Sequence, residues 1–180
     1  MQIRRATAGD AARIAEIYNW YILHTIVTFE TDEVSPQEMT NRIQEKTINH
    51  DWLAGEVHQA VIGYAYYGPF RARAAYNHTV ESTIYLAQGS TGQGFGRALY
   101  AQLLESVKSR GFREVVGVIA LPNPQSIALH KAMGFEEVGV LKKVGYKFGS
   151  YIDVSLWQMS MVQQGYPPDR NPLGDPDHRS

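Results

Sequence analysis

Thr79–Arg97 reads TVESTIYLAQGSTGQGFGR and holds, in immediate succession, a strand pattern, a glycine-rich turn and a helix start. Alternation places Val80, Ser82, Ile84 and Leu86 on one face of the strand and Glu81, Thr83 and Tyr85 on the other. Glu81 is therefore the lone charged side chain of a half-buried strand. The run Gly92-Gln93-Gly94-Phe95-Gly96 opens the helix, so its free amides and the positive helix end suit a pyrophosphate. Two other phosphate motifs fail here. Arg97 stands where G-x-G-x-x-G needs its third glycine, and no Gly-Lys-Ser/Thr follows as in a nucleotide-hydrolysing P-loop.

Upstream, Gln2–Arg5 reads as a short strand and Asp10 as the N-cap of a helix whose Ile14, Ile17, Tyr18, Tyr21 and Ile22 recur at three-four spacing. Thr25–Glu33 reads as extended or looped chain. Ser35, Pro36 and Glu38 then open a second helix, with Met39 and Ile43 on its apolar face. Trp52–Val57 and Ala60–Tyr67 form a hairpin about His58 and Gln59, and Gly68–Phe70 breaks its second strand. Arg71–Asn77 is a loop with two arginines.

Downstream, Phe95, Leu99, Leu103 and Val107 mark a long helix that Gly111 closes, and Glu114–Ala120 is a strand. Asn123 and Pro124 start another helix, which ends at Gly134. Glu136–Val144 and Tyr151–Met161 read as a final strand pair joined through Lys142–Ser150. The expectation is a mixed α/β fold with one domain over residues 1–162. Residues 163–180, rich in Pro, Asp and Gly without apolar periodicity, are expected to form a disordered tail.

Composition narrows the chemistry. The chain has 180 residues, with 17 Lys and Arg against 18 Asp and Glu, so nothing global draws it to nucleic acid or an anionic membrane. Without cysteine there is no disulfide frame, no cysteine zinc site and no acyl-cysteine route. The first residues lack a signal-peptide core, and no run approaches the ~20 apolar residues of a membrane span. The expected location is cytoplasmic.

The turn resembles the signature of the GNAT N-acetyltransferase superfamily, Q/R-x-x-G-x-G/A, at Thr91, Gly94 and Gly96, with Thr91 departing from the usual Gln or Arg. Longer strings over residues 3 to 159 resemble the phosphinothricin and methionine sulfoximine N-acetyltransferase family. They are IYNWYILHTIVTFE, GYAYYGPFRARAAYNHTVESTIYL, LPNPQSIALHKAMGF and GYKFGSYIDVSLWQ. The resemblance implies a GNAT fold, with a mostly antiparallel central sheet that splays near the acetyl-CoA site, and a homodimer.

It also implies site residues. Acetyl-CoA would meet Ile84, Tyr85 and Leu86 along the pantetheine arm, Gly92, Gln93, Gly94, Phe95, Gly96 and Arg97 at the pyrophosphate, and Asn123, which equally fits an N-cap. Glu81 would be the base, acting through a water; the alternative is a structural salt bridge. Arg71, Ala72 and Arg73, with Glu81, Ser82 and Thr83, would contact an amino-acid-like substrate, and forked guanidinium groups suit its anionic ends. Phe29 and Glu30 would close the pocket, with core packing as the alternative for Phe29.

His130 stands seven residues after Asn123, where many GNAT enzymes carry a tyrosine that protonates the leaving thiolate; a structural His on a helix face is the alternative. No metal is expected, because the other histidines lack ligand spacing. Two different readings stay open: transfer to another amine (a polyamine, an aminoglycoside or a protein N-terminus), and a CoA-binding module without catalysis.

Overall fold

The computed structural model describes residues 1–162. The expected tail, 163–180, lies outside them. One sheet contains β1 (Gln2–Arg5), β2 (Trp52–Val57), β3 (Ala60–Pro69), β4 (Thr79–Leu86), β5 (Glu114–Ala120), β6 (Glu136–Lys147) and β7 (Ser150–Ser160). Its order is β1-β2-β3-β4-β5-β7-β6. Four helices flank it: α1 (Ala11–His24), α2 (Pro36–Asn49), α3 (Phe95–Ser109) and α4 (Pro124–Ala132). This is the expected mixed α/β architecture with a mostly antiparallel sheet.

The exception to antiparallel pairing creates the site. β4 and β5 run parallel, which requires a crossover between them, and α3 supplies it. The pair holds only from Thr79 opposite Glu114 to Ser82 opposite Gly117. Beyond that, Thr83–Leu86 and Val118–Ala120 continue without each other and the sheet splays.

Both faces of β4 are covered, which explains why its two alternating rows each contain apolar residues. Tyr85 joins Ile14, Tyr18, Met39, Ile43 and Tyr64 beneath α1 and α2. Val80 joins Leu99, Leu103, Val107, Val115 and Trp157 beneath α3. The α1, α2 and α3 stripes read from sequence are these buried faces.

Three local expectations change. Asp10 does not cap α1. Its carboxylate accepts two hydrogen bonds from the Arg4 guanidinium at 2.7 and 2.8 Å and one from the Thr7 amide at 2.8 Å, because a charged fork on β1 outbids uncharged helix amides. β3 continues through Gly68 and Pro69, which pair with Glu81 and Val80. The last hairpin is longer than expected: β6 reaches Lys147 and an irregularity between Leu141 and Gly145 absorbs the intervening residues. Its turn needs only Phe148 and Gly149, both at positive φ. Among the described residues no helix is long and apolar enough to cross a membrane.

Candidate active site

Two adjoining cavities open along the splay. The first, about 380 Å³, runs between β4 and α4 and is lined by apolar Ile84, Leu86 and Leu129, by the turn at Thr91, Gly92, Gly94, Gly96 and Arg97, and by Asn123. Gly94 is the N-cap of α3 at φ +80°, so no side chain caps the first turn and its amides are left for a ligand. A side chain at Gly94 would be strained by the left-handed backbone. The mouth of this cleft is thus an uncapped helix start, as the sequence suggests.

Not every expected cofactor residue lines the cleft. Gln93 turns back to donate to the Gly89 carbonyl at 3.0 Å, and Phe95 is absent from the lining. Tyr85 points to the α1 and α2 core and borders the second cavity instead. The Leu86 carbonyl already accepts from the Tyr21 hydroxyl at 2.8 Å. Asn123 does cap α4, its Oδ1 accepting from the Ser126 amide at 3.1 Å, while its NH₂ group makes no hydrogen bond within the described protein.

The second cavity, about 260 Å³, shares Val27, Ile84, Asn123 and Ser126 with the first. Glu81, Thr83, Tyr66, Phe29 and His130 are among its walls. The Glu81 carboxylate makes no hydrogen bond or ion pair to a described residue, so the structural salt bridge considered above is not formed. Burial pushes its pKa upward, and the fields of Lys46 and Arg71 oppose this. Phe29 lies over Gly145 of β6 rather than in a core, and is 41 % exposed. Glu30 is held by Arg42 at 2.7 Å and receives the Tyr18 hydroxyl at 2.9 Å.

His130 sits where the sheet parts. Its ring covers Gly117, the last β5 residue paired with β4; a β-carbon there would lie 2.6 Å from Nε2. Nδ1 lies 2.8 Å from the Ser126 carbonyl, which can only accept, so Nδ1 carries the proton and Nε2 accepts from the Tyr100 hydroxyl at 3.1 Å. Tyr100 in turn receives the Ser82 hydroxyl at 2.7 Å. Burial lowers the His130 pKa, although the Ser126 carbonyl works against this. In this arrangement the neutral ring has no N–H left to donate, and Ser82 faces Tyr100 rather than Glu81.

Arg71, Ala72 and Arg73 stand on an exposed loop and line neither cavity. The Arg71 guanidinium lies 5.0 Å from the centre of the Phe70 ring. Sequence reading missed Tyr100, Gly117, Tyr21 and Lys46. Of these only Gly117 left a signal, a glycine inside the strand EVVGVIA, which marks a close approach. Among the described residues no group of His, Asp and Glu could hold a metal ion.

A parallel pair that opens onto an uncapped helix start, with apolar walls beside it, defines a cleft suited to a ligand that joins a pyrophosphate to a flexible arm, as CoA does. The sequence comparison is more specific: the acetyltransferase (GNAT) domain matches residues 3–156, and the chain belongs to this family. It is 43% identical over 158 residues to the phosphinothricin N-acetyltransferase of Streptomyces viridochromogenes, covering 88% of this chain and 86% of that protein. It is 31% identical to the L-methionine sulfoximine/L-methionine sulfone acetyltransferase of Salmonella typhimurium, over 93% of this chain and 98% of that one. The structure of a phosphinothricin acetyltransferase from Sinorhizobium meliloti in complex with acetyl-CoA superposes with a TM-score of 0.89 at 37% identity, covering 93% of each chain.

The protein is thus an acetyl-CoA-dependent N-acetyltransferase. Its own residues fit that cosubstrate: the α3 amides suit the pyrophosphate, and Ile84, Leu86 and Leu129 suit the arm.

Proposed function

We propose that the chain acetylates the α-amino group of a small amino-acid-like substrate of the phosphinothricin or methionine sulfoximine type, by direct transfer within a ternary complex. The carrying observation is Glu81, a half-buried carboxylate with no partner among the described residues, on a cavity that adjoins the cofactor cleft. Acetyl-CoA supplies an activated acyl group. The chain's task is then to bring up an amine and take a proton from it.

An α-amino group has a pKa near ~8, so at neutral pH most of it is protonated and cannot attack. Glu81 accepts that proton directly or through one water, and its burial makes it a stronger base than an exposed Glu. Past Ser82 the edge of β4 facing the splay has no strand beside it among the described residues, so its amides are available to an acyl oxygen and to the arm. We assign His130 to ordering this wall, because both its nitrogens are engaged, and Arg71 and Arg73 to the anionic end of the substrate at the mouth. The reach of the Arg71 field to Glu81 supports that placement.

We further propose a homodimer. Val138, Leu141, Val144, Tyr146, Phe148 and Tyr151 are all exposed along the β6 and β7 hairpin, and β6 is an edge strand. An apolar row of this extent on an open edge favours burial against another chain.

The test is Glu81→Gln with methionine sulfoximine and with a panel of polyamine, aminoglycoside and peptide amines. We expect turnover with the amino-acid analogue to fall by about 10² or more while acetyl-CoA affinity is kept. Unchanged turnover across pH removes Glu81 from the base role, and preference for another amine refutes the substrate class.

A further inference from the structure

Resting on the reading of Glu81 as the base, we propose that Lys46 is its positioning residue. From α2 the ammonium faces Glu81 across Gly68 and holds the carboxylate in the ionised form that can accept a proton.

The placement follows from the register. Gly68 on β3 is the partner of Glu81 on β4, and residues opposed in an antiparallel pair project from the same face with β-carbons about 5 Å apart. Gly68 has no β-carbon. One built there would lie 2.6 Å from Lys46 Nζ, 3.3 Å from Cε and 3.4 Å from Cδ. The lysine chain therefore occupies the volume that a side chain at 68 would fill, beside Glu81. Its ammonium is also 5.5 Å from the centre of the Tyr66 ring, one step along the same face of β3.

Apart from the Tyr66 ring, neither charge has a partner among the described residues. The Lys46 ammonium has no hydrogen bond or ion pair with a described residue, and neither has the Glu81 carboxylate. The two stop short of contact, which leaves the carboxylate oxygens open while the field of the cation still acts on them. The other groups facing Glu81 do not replace it. Arg71, on the loop after β3, acts in the same sense but stands in solvent, where its field is screened. Tyr66 on β3 and Tyr85 on β4 are held neutral by burial, as is His130 across the cavity. Glu30, from the 25–35 loop, is paired with Arg42.

Burial works to protonate Glu81, and Lys46 is the first opposing charge. Without the lysine a larger share of the carboxyl would carry a proton near neutral pH and could take none from the amine. A glycine at 68 is what lets the lysine through.

The experiment is a carbon-13 NMR titration of the Glu81 carboxyl in the full chain, with Lys46→Met, Lys46→Arg and Gly68→Ala. We expect Lys46→Met to raise the Glu81 pKa by about one unit, Lys46→Arg to restore it, and Gly68→Ala to move it partway in the same direction. In the activity assay the acid limb of kcat/KM should shift by the same amount as the carboxyl. An unmoved Glu81 titration in Lys46→Met overturns the proposal, whatever the activity. A raised KM for the amine with an unmoved titration would mean that the lysine grips the substrate anion, which also overturns it. Wild-type protein that acetylates no amine refutes the substrate reading, and the titration still decides the role of Lys46.

Discussion

Replacing Tyr100 by Phe removes one oxygen from the most buried part of the splay. The ring should stay, since Tyr100 is fully buried and stacks on Phe135 at 5.7 Å with planes 10° apart. The hydroxyl serves two partners, and they fare differently. Ser82 Oγ has a fallback in the Val116 carbonyl at 3.4 Å. His130 Nε2 has none among the described residues, and the residue is only 4 % exposed. One stranded buried acceptor costs about 1–3 kcal/mol, so we expect a loss of about 2 kcal/mol. With a urea m-value of about 2 kcal/mol/M, the unfolding midpoint should fall by about 1 M at unchanged m. Equilibrium urea unfolding followed by tryptophan fluorescence reads this, with Trp157 close to His130 as a local probe. Adding His130→Leu should cost less than the sum of the single changes, because no polar atom is then stranded. A loss below about 0.5 kcal/mol, or strict additivity, would refute the chain of hydrogen bonds assigned here.

Asp10 offers a pH test with a definite sign. The Arg4 hydrogen bonds hold its pKa down at about 2, against roughly 3.9 for an unfolded Asp, so its stabilisation is complete above about pH 4 and is lost as pH falls towards 2. Asp10→Asn should therefore be less stable than wild type at pH 7, and the gap in melting temperature should narrow to about a third by pH 2.5; a constant gap would show that the charge is immaterial. For the dimer, sedimentation velocity should give twice the 20.2 kDa chain mass for wild type and a shift to monomer for Tyr151→Asp. Monomeric wild type at micromolar concentration would rule the dimer out.

The elements were legible wherever periodicity was strong. The three-four stripes of α1, α2 and α3 and the alternation in β4 are consequences of burial on one or both faces, and burial follows from local sequence. The ends of elements were less so. The turn at His58-Gln59 was read from the strand patterns on either side of it and not from the two residues, which adopt positive φ because those strands pair. Asp10 had the right type and position for a helix cap, and a guanidinium six residues earlier took it.

The site divided in the same way. The glycine turn and Glu81 could be found because each is a chemical anomaly within its own segment. Lys46 and Tyr100 could not, since a lysine on a helix surface and a tyrosine on a buried helix face are ordinary until the register brings Gly68 and Ser82 beside them. The FRAR loop drew notice in sequence for its two arginines, and the structure sets both at the surface.

The splay also bears on how such a protein can diversify. Apart from Tyr21 and Val27, every residue lining the acetyl-donor cleft falls between Ile84 and Leu129, a single uninterrupted block. The acceptor side shares that block through Ile84, Tyr85, Val118–Ala120, Asn123 and Ser126, and adds Val27–Phe29, Tyr66 and Val154 from elements well separated along the chain. Mutations or exchanged segments in those outlying regions can remodel which amine is received, while the inherited block goes on binding the same donor. The gap between two strands thus joins a donor cleft built almost wholly from one stretch of chain to an acceptor wall that outlying elements help to shape.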